Sequence, residues 1–472
     1  MLDTHPFLAA DTSGAVPVHP LFEAEVEAFV AARRPAVRTL ADQNQFRGKA
    51  GQVLLVPGPA GAPERVLMGL GTRTPVDPGL FRGLAARLPA GAYALARSPR
   101  GLNLTDAAVA FALGLYRFDR YRKRPSGKDG AEAGPRLVAP RGVDVAAVLA
   151  ISHACALVKD MVNTPANDMG PLQIETIARE IAEQYGADLT VIRGDDLLEQ
   201  NYPAIHAVGR AAVPHRAPRL LELTWGDPAH PVLALVGKGV VFDSGGLDIK
   251  PSAGMRLMKK DMGGAAHALA LGRMVMAAGL PVRLVVLTPV VENAISGDAM
   301  RPGDVLQTRA GLTVEVGNTD AEGRLILSDA LARAGEHKPV LTLDLATLTG
   351  AARVALGPFV IPFWTGDDAL AAQISAASTA TFDPLWRMPL TEAYGESIES
   401  EIADLQNDSA AWAQAGATTA ALFLQKFAPA EGSWAHFDLY AWNPKGRPGY
   451  PAGGEVQAIR ALFAMLKTRF AA

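Results

Sequence analysis

Disulfides are excluded at once: the 472-residue chain has one cysteine, Cys155, so no intramolecular bridge can form and a reducing compartment is favoured. Charge of one sign is also missing. With 45 Lys and Arg against 48 Asp and Glu, the net charge is -3, which leaves no electrostatic footprint for nucleic acid or an anionic membrane. No uninterrupted apolar run is long enough to span a bilayer. The longest candidate, Ala265 to Val291, is broken by His267, Arg273, Arg283 and two prolines. The first residues, Met-Leu-Asp-Thr-His-Pro, lack the basic and apolar regions of a signal peptide, so a cytoplasmic location is expected. There is no HExxH pair, which removes the common helix-borne zinc protease. Internal repeats and low-complexity tracts are absent too.

What is present fits an ordinary globular protein, with 49% hydrophobic and 20% charged residues. The length exceeds one typical core, so two domains are expected, 1–142 and 143–472. The first alternates short β-rich runs (from Val53 and Arg65) with Ala/Leu/Arg-rich helical stretches, and Arg120 to Gly134 reads as an exposed loop. A helix-like run from about Val143 to Val162 leads into a turn over Asn163 to Pro171. Beyond it, apolar runs starting at Leu189, Arg219, Val232, Val282 and Val340 read as strands. Gly264 to Met276 and Leu325 to Ala334 read as helices, so the class is α/β with a mixed central sheet. Lys238 then falls at the C-terminal end of a central strand, where open α/β sheets place their ligands.

Three short blocks carry the chemistry: Lys238-Gly-Val-Val-Phe-Asp-Ser-Gly-Gly-Leu-Asp-Ile-Lys250, Asp261, and Asn318-Thr-Asp-Ala-Glu-Gly-Arg324. With Asp248 read as a loop residue, they supply four carboxylates, two lysines and an arginine. Converging carboxylates repel one another and are costly to desolvate unless cations offset them. Four negative charges balance two divalent ions, so the set reads as a two-metal hydrolase site. Oxygen ligands suit Mn²⁺, Mg²⁺ or Zn²⁺.

Each block alone has a simpler explanation. Gly237-Lys238-Gly239 suggests a phosphate loop, but the upstream glycine spacing fails and Gly239 replaces the Ser or Thr that holds magnesium. Asp243-Ser244-Gly245-Gly246 imitates a serine-protease nucleophile, yet Phe242 stands where that signature has glycine and no histidine has a fitting context. Asp320 and Glu322 before an apolar run are ordinarily helix caps. Company overturns that reading, because Asp261 precedes a second helix and Asp243 stands in a third glycine-rich turn.

At these residues the chain resembles the cytosolic leucyl aminopeptidase family of two-metal exopeptidases. The resemblance is carried by Val236 to Gly246, Ile249 to Ser252, Lys260 to Ala266, Ser296 to Val305, Asn318 to Leu325 and Asp344 to Ala351, and it extends from about Asn163 to the end. It implies a macro-like α/β N-terminal domain ahead of the catalytic domain. Its implied metal ligands are Lys238, Asp243, Asp261, Asp320 and Glu322, holding two Mn²⁺ or Zn²⁺ ions that Asp243 and Glu322 bridge. Lys250 and Arg324 fall on the catalytic positions, Lys250 to stabilise an oxyanion and Arg324 to hold a bicarbonate. Met258, Thr347, Leu348 and Gly350 line the implied side-chain pocket. Peptide substrates and a homohexamer are implied as well. Tyr440 stands where alanine is usual and Asn443 where an apolar residue often sits, which argues against a strict leucine preference. Two alternatives are a cysteinylglycine-type dipeptidase and a DNA-binding role. The acidic balance opposes the second, although Arg117 to Lys128 is locally basic.

Overall fold

Val232–Gly237 is apolar at every position, so it has no face to offer water and becomes the middle of a sheet. The structure, a computed structural model, describes residues 8–9, 14–59, 61–123, 134–408 and 414–471. Around Val232–Gly237 the strand order is Leu385–Arg387, Ile361–Trp364, Ser433–Asp438, Leu341–Ala346, Val232–Gly237, Arg283–Asn293, Arg219–Trp225 and Asp188–Arg193. The four middle strands run parallel. Ile361–Trp364 and Arg219–Trp225 run against their inner neighbours, so the sheet is mixed. The chain resumes as Gly239–Asp243, which pairs with the far half of Arg283–Asn293.

Lys238 interrupts that passage. Its N–H donates to Leu345 O at 3.0 Å, and its carbonyl accepts from Ala265 N at 2.7 Å. The helix Gly263–Ala277 thus starts against the strand end. Only glycine permits this approach: a Cβ on Gly264 would lie 2.1 Å from Leu345 O and 2.7 Å from Lys238 N. This helix is apolar on nearly every side and buried from Gly263 to Met276, as a helix inside a large domain should be. A second helix, Glu322–Glu336, begins three residues before the apolar run at Leu325, which puts Glu322 and Arg324 in its first turn. Leu325, Ile326 and Leu331 anchor it in a core shared with Val236 and Leu287.

The chain divides into two compact units, residues 1–156 with 445–452, and 157–444 with 453–472. The sequence places the boundary near 142, whereas the division between the two compact units falls inside the helix Val145–Asn163. In the first unit a six-stranded sheet runs Leu8–Ala9, Pro135–Val138, Gly91–Leu95, Val16–Phe22, Pro63–Gly71, Val53–Pro57, parallel except for its last pair. Residues 445–452 join this unit through Tyr450, whose ring lies 3.7 Å from the Arg82 guanidinium carbon, and through Gly449 O, which accepts from Arg82 Nε at 2.9 Å. Of the expected loop at Arg120 to Gly134 and the basic stretch at Arg117 to Lys128, residues 124–133 lie outside the described residues, as do Met1 to Pro6. One expectation needs correction. The helix Val145–Asn163, with mean hydropathy 1.7, is long and apolar enough to cross a membrane by length and composition, although more than half of it is buried in the protein. Its single charged pair, Lys159 and Asp160, interrupts the run too late to break that pattern.

Candidate metal centre

All five residues expected to hold metal come together at the C-terminal edge of the parallel strands. Lys238 follows one strand and Asp243 ends the next; Asp261 precedes the helix Gly263–Ala277, and Glu322 opens the helix Glu322–Glu336. Lys238 Nζ lies 2.7 Å from Asp261 Oδ2 and 2.9 Å from Glu322 Oε1, and donates to Thr347 O at 3.1 Å. Lys250 Nζ lies 2.8 Å from Asp243 Oδ2 and 2.5 Å from Asp320 Oδ1. Asp243, Asp320 and Glu322 offer carboxylate oxygens that all lie within 4.8 Å of one another. Lys238, Asp243, Asp261 and Glu322 are buried, while Asp320 is part-exposed.

Such crowding shows in the acidities. Burial first, then the charge of Asp243, pushes Glu322 up to about 8 and Asp320 up to about 6. Asp261 is raised for the same two reasons, opposed by Lys238. Burial disfavours the Lys238 ammonium, but Asp261, Glu322 and Asp243 outweigh it and hold the proton more tightly than usual. Lys250 follows the same pattern, with Asp243 and Asp320 as its anchors. Glu322 Oε2 is buried without a hydrogen-bond donor, Oε1 meets only the Lys238 ammonium, and Arg324 Nε is buried without an acceptor. A buried carboxylate left this way is destabilising unless a cation completes its surroundings. Hard oxygen donors, one amine and an incompletely satisfied carboxylate fit a divalent-metal centre.

Several residues to which the sequence gives no such role fix the five candidate ligands in place. Asn293 Nδ2 donates to Asp243 Oδ1 at 2.8 Å and to Thr319 O at 3.1 Å. Asp248 joins the same two loops, accepting from Thr319 N at 2.7 Å. Asn407 fastens the third block, accepting from Gly317 N and Asn318 N while its carbonyl receives Arg324 Nη1. Thr347 Oγ1 donates to Asp261 Oδ1 at 2.8 Å. Ser244 is committed elsewhere: its hydroxyl donates to Asn293 O at 2.6 Å and accepts from Gly246 N. No histidine engages it among the described residues, so the serine-protease likeness ends at the sequence. The phosphate-loop likeness ends as well, because the Lys238 ammonium faces carboxylates.

A cavity of about 380 Å³ opens onto this wall. Lys238, Lys250, Asp243, Asp261, Asp320 and Arg324 line it, with Met258, Thr347, Leu348 and Gly350. Tyr440 lines it too, and Trp442, two residues on, is not on that lining. Asp438, Lys260 and Arg353 also reach it, none of them given a site role by the sequence.

Comparison with known proteins agrees with this chemistry. The model of the cytosol aminopeptidase family catalytic domain matches residues 156–463, and that of the M17 aminopeptidase N-terminal domain matches 16–132. A probable cytosol aminopeptidase of Syntrophotalea carbinolica is 41% identical over 455 residues, 90% of each chain. The solved structure of the Coxiella burnetii cytosol aminopeptidase superposes with a TM-score of 0.91 at 44% identity, covering 98% of both chains. The bottromycin maturation enzyme BotP, solved in complex with Mn, superposes with a TM-score of 0.86 at 35% identity over 98% of this chain and all of that one. An acidic cluster at a strand edge, with this likeness along nearly the whole length, leaves one assignment: the chain belongs to the cytosol aminopeptidase (M17) family and is a metal-dependent aminopeptidase that acts on peptides.

Proposed function

We propose that the chain releases N-terminal residues from peptides at a centre of two divalent ions, Mn²⁺ or Zn²⁺, held by Lys238, Asp243, Asp261, Asp320 and Glu322. The observation that carries this is Glu322, a buried carboxylate with one oxygen lacking any partner and the other meeting only the Lys238 ammonium, with oxygens of two other carboxylates within 4.8 Å. Asp243 and Glu322, central to the cluster, would each serve both ions. When bound, the ions supply the Lewis acidity that makes water nucleophilic near neutral pH. Lys238 would serve as a neutral amine, so its proton must leave when metal enters.

The chain's own groups do the rest. Lys250, kept protonated by Asp243 and Asp320, presents a fixed positive charge to the oxyanion that develops on the scissile carbonyl. A substrate α-amine is drawn to the acidic wall, which restricts cleavage to the first peptide bond. Arg324 stays cationic in its buried position, and its Nε is available to hold a small oxyanion such as bicarbonate. Such an ion would accept the attacking water's proton. Met258, Thr347, Leu348 and Gly350 bound the pocket for the released side chain, with Tyr440 as a further wall. A homohexamer and a cytoplasmic location complete the proposal, the second supported by the relatives named cytosol aminopeptidases. No observation favours a cysteinylglycine dipeptidase or a DNA-binding role.

Chelation tests this reading. Dialysis against a chelator should abolish hydrolysis of aminoacyl-amides, and Mn²⁺ or Zn²⁺ should restore it. Stoichiometric inactivation by a fluorophosphonate with Ser244 labelled would overturn it.

A further inference from the structure

Two cations on the cavity lining have no part in the metal chemistry. Lys260 is more than nine-tenths buried, yet it lines the cavity and its side chain has no ion-pair or hydrogen-bond partner among the described residues. Its Nζ lies 5.1 Å from the centroid of the Tyr440 ring. Arg353, in the helix Gly350–Leu356, places its guanidinium carbon 5.0 Å from the same centroid and likewise meets no carboxylate among the described residues. The cavity's carboxylates outside the metal set are already engaged. Asp438 accepts from Leu348 N and from Thr349 N and Oγ1, and Asp408 accepts from Asn318 Nδ2.

A buried ammonium without a counter-ion is costly to keep, and an aromatic face offsets only part of that cost. An arginine beside it adds a planar fork suited to a carboxylate. We infer that Lys260 and Arg353, set about Tyr440, receive the side-chain carboxylate of the residue being released, so that peptides beginning with Glu or Asp are favoured substrates. This rests on the aminopeptidase reading above, in which Met258 and Leu348 bound the same pocket. A tyrosine at 440, in place of a small residue, fits, because its ring is the group that both cations approach, at 5.1 and 5.0 Å from the centroid.

The test compares p-nitroanilides of Glu, Gln and Leu, which have no C-terminal carboxylate. Glu and Gln are nearly isosteric, so their ratio of kcat/KM isolates charge. Glu should exceed Gln by about tenfold or more, and the ratio should fall toward one in Arg353→Gln and in Lys260→Gln. Arg353 is exposed, so that variant should fold even if the Lys260 variant does not. A wild-type ratio near or below one, with Leu still hydrolysed, would overturn the inference while sparing the aminopeptidase reading. So would a ratio unchanged in Arg353→Gln. Hydrolysis of none of the three would overturn both. A second arm compares Leu-Ala with Leu-Ala-amide. Preference for the free acid, without a Glu preference, would assign the cations to the peptide's C-terminus and overturn the side-chain assignment.

Discussion

Replacing Gly323 by alanine should separate the metal centre from the fold. Gly323 is the second residue of the helix Glu322–Glu336, where alanine is intrinsically preferred over glycine, by up to about 1 kcal/mol in a helix interior and less in the first turn. A Cβ there would stand 2.6 Å from both Cε and Nζ of Lys238, and 2.7 Å from its Cδ. Ordinary contact begins near 3.4 Å, so the amine must retreat by roughly 0.8 Å (3.4 − 2.6). It has little room, being fixed between Asp261, Glu322 and Thr347 O. A displacement of about 1 Å in such a site costs on the order of 10²-fold in rate. Gly323→Ala should therefore keep its melting temperature within a few degrees, lose bound metal after gel filtration, and lose about 10²-fold in kcat/KM. Gly335→Ala is the matched control. It lies in the same helix, and its Cβ would meet nothing closer than 3.7 Å. Wild-type metal content and kcat/KM in Gly323→Ala would refute the placement of Lys238 among the ligands. Global unfolding of the variant would refute the claim that the side chain, and not the backbone, takes up the strain.

Two further outcomes follow from the same geometry. Glu322→Ala should lose more metal than Lys250→Ala, measured by atomic absorption, whereas Lys250→Ala should lower kcat by roughly 10²–10³ as a lost oxyanion donor does; the reverse order of metal loss would contradict the assignment. Burial holds His267 down at about 4, with Nδ1 donating to Gly263 O and Nε2 accepting from Gln457 N. Because the folded value is depressed below 6.5, the neutral ring's contribution is present above pH 6.5 and is lost as pH falls toward 4, a matter of a few kcal/mol. Urea midpoints across that range should fall for the wild type and fall less for His267→Gln.

The residues proposed as ligands are legible as a group because each stands at the end of an apolar run or among glycines, which is a local signal. Val232–Gly237 and Leu341–Ala346 were legible for a similar reason, being apolar enough to be central strands. Ser433–Asp438 was not, since its polar His436 is buried against Asp344, 92 residues away in sequence. Asn293, Thr319 and Asn407 escaped notice because their value lies in bonds that cross 26 to 90 residues, and nothing in their neighbourhoods hints at those partners. Asp248, set aside as a loop residue, proves to be the clasp between two ligand blocks. The helix starts three residues earlier than the sequence implies, because hydrophobic periodicity begins at Leu325 while the backbone turns helical at Glu322. Lys260 opens one of the blocks that carry the resemblance, but its burial beside the cavity is a product of the fold.

The central claim is that Asp243 and Glu322 bridge two ions. Crystals grown with Mn²⁺ and measured on both sides of the manganese absorption edge test it directly. Two anomalous peaks per chain are expected, both in contact with Asp243 and Glu322, one of them also beside Lys238 and Asp261 and the other beside Asp320. A single peak, or two peaks that share neither carboxylate, would contradict it.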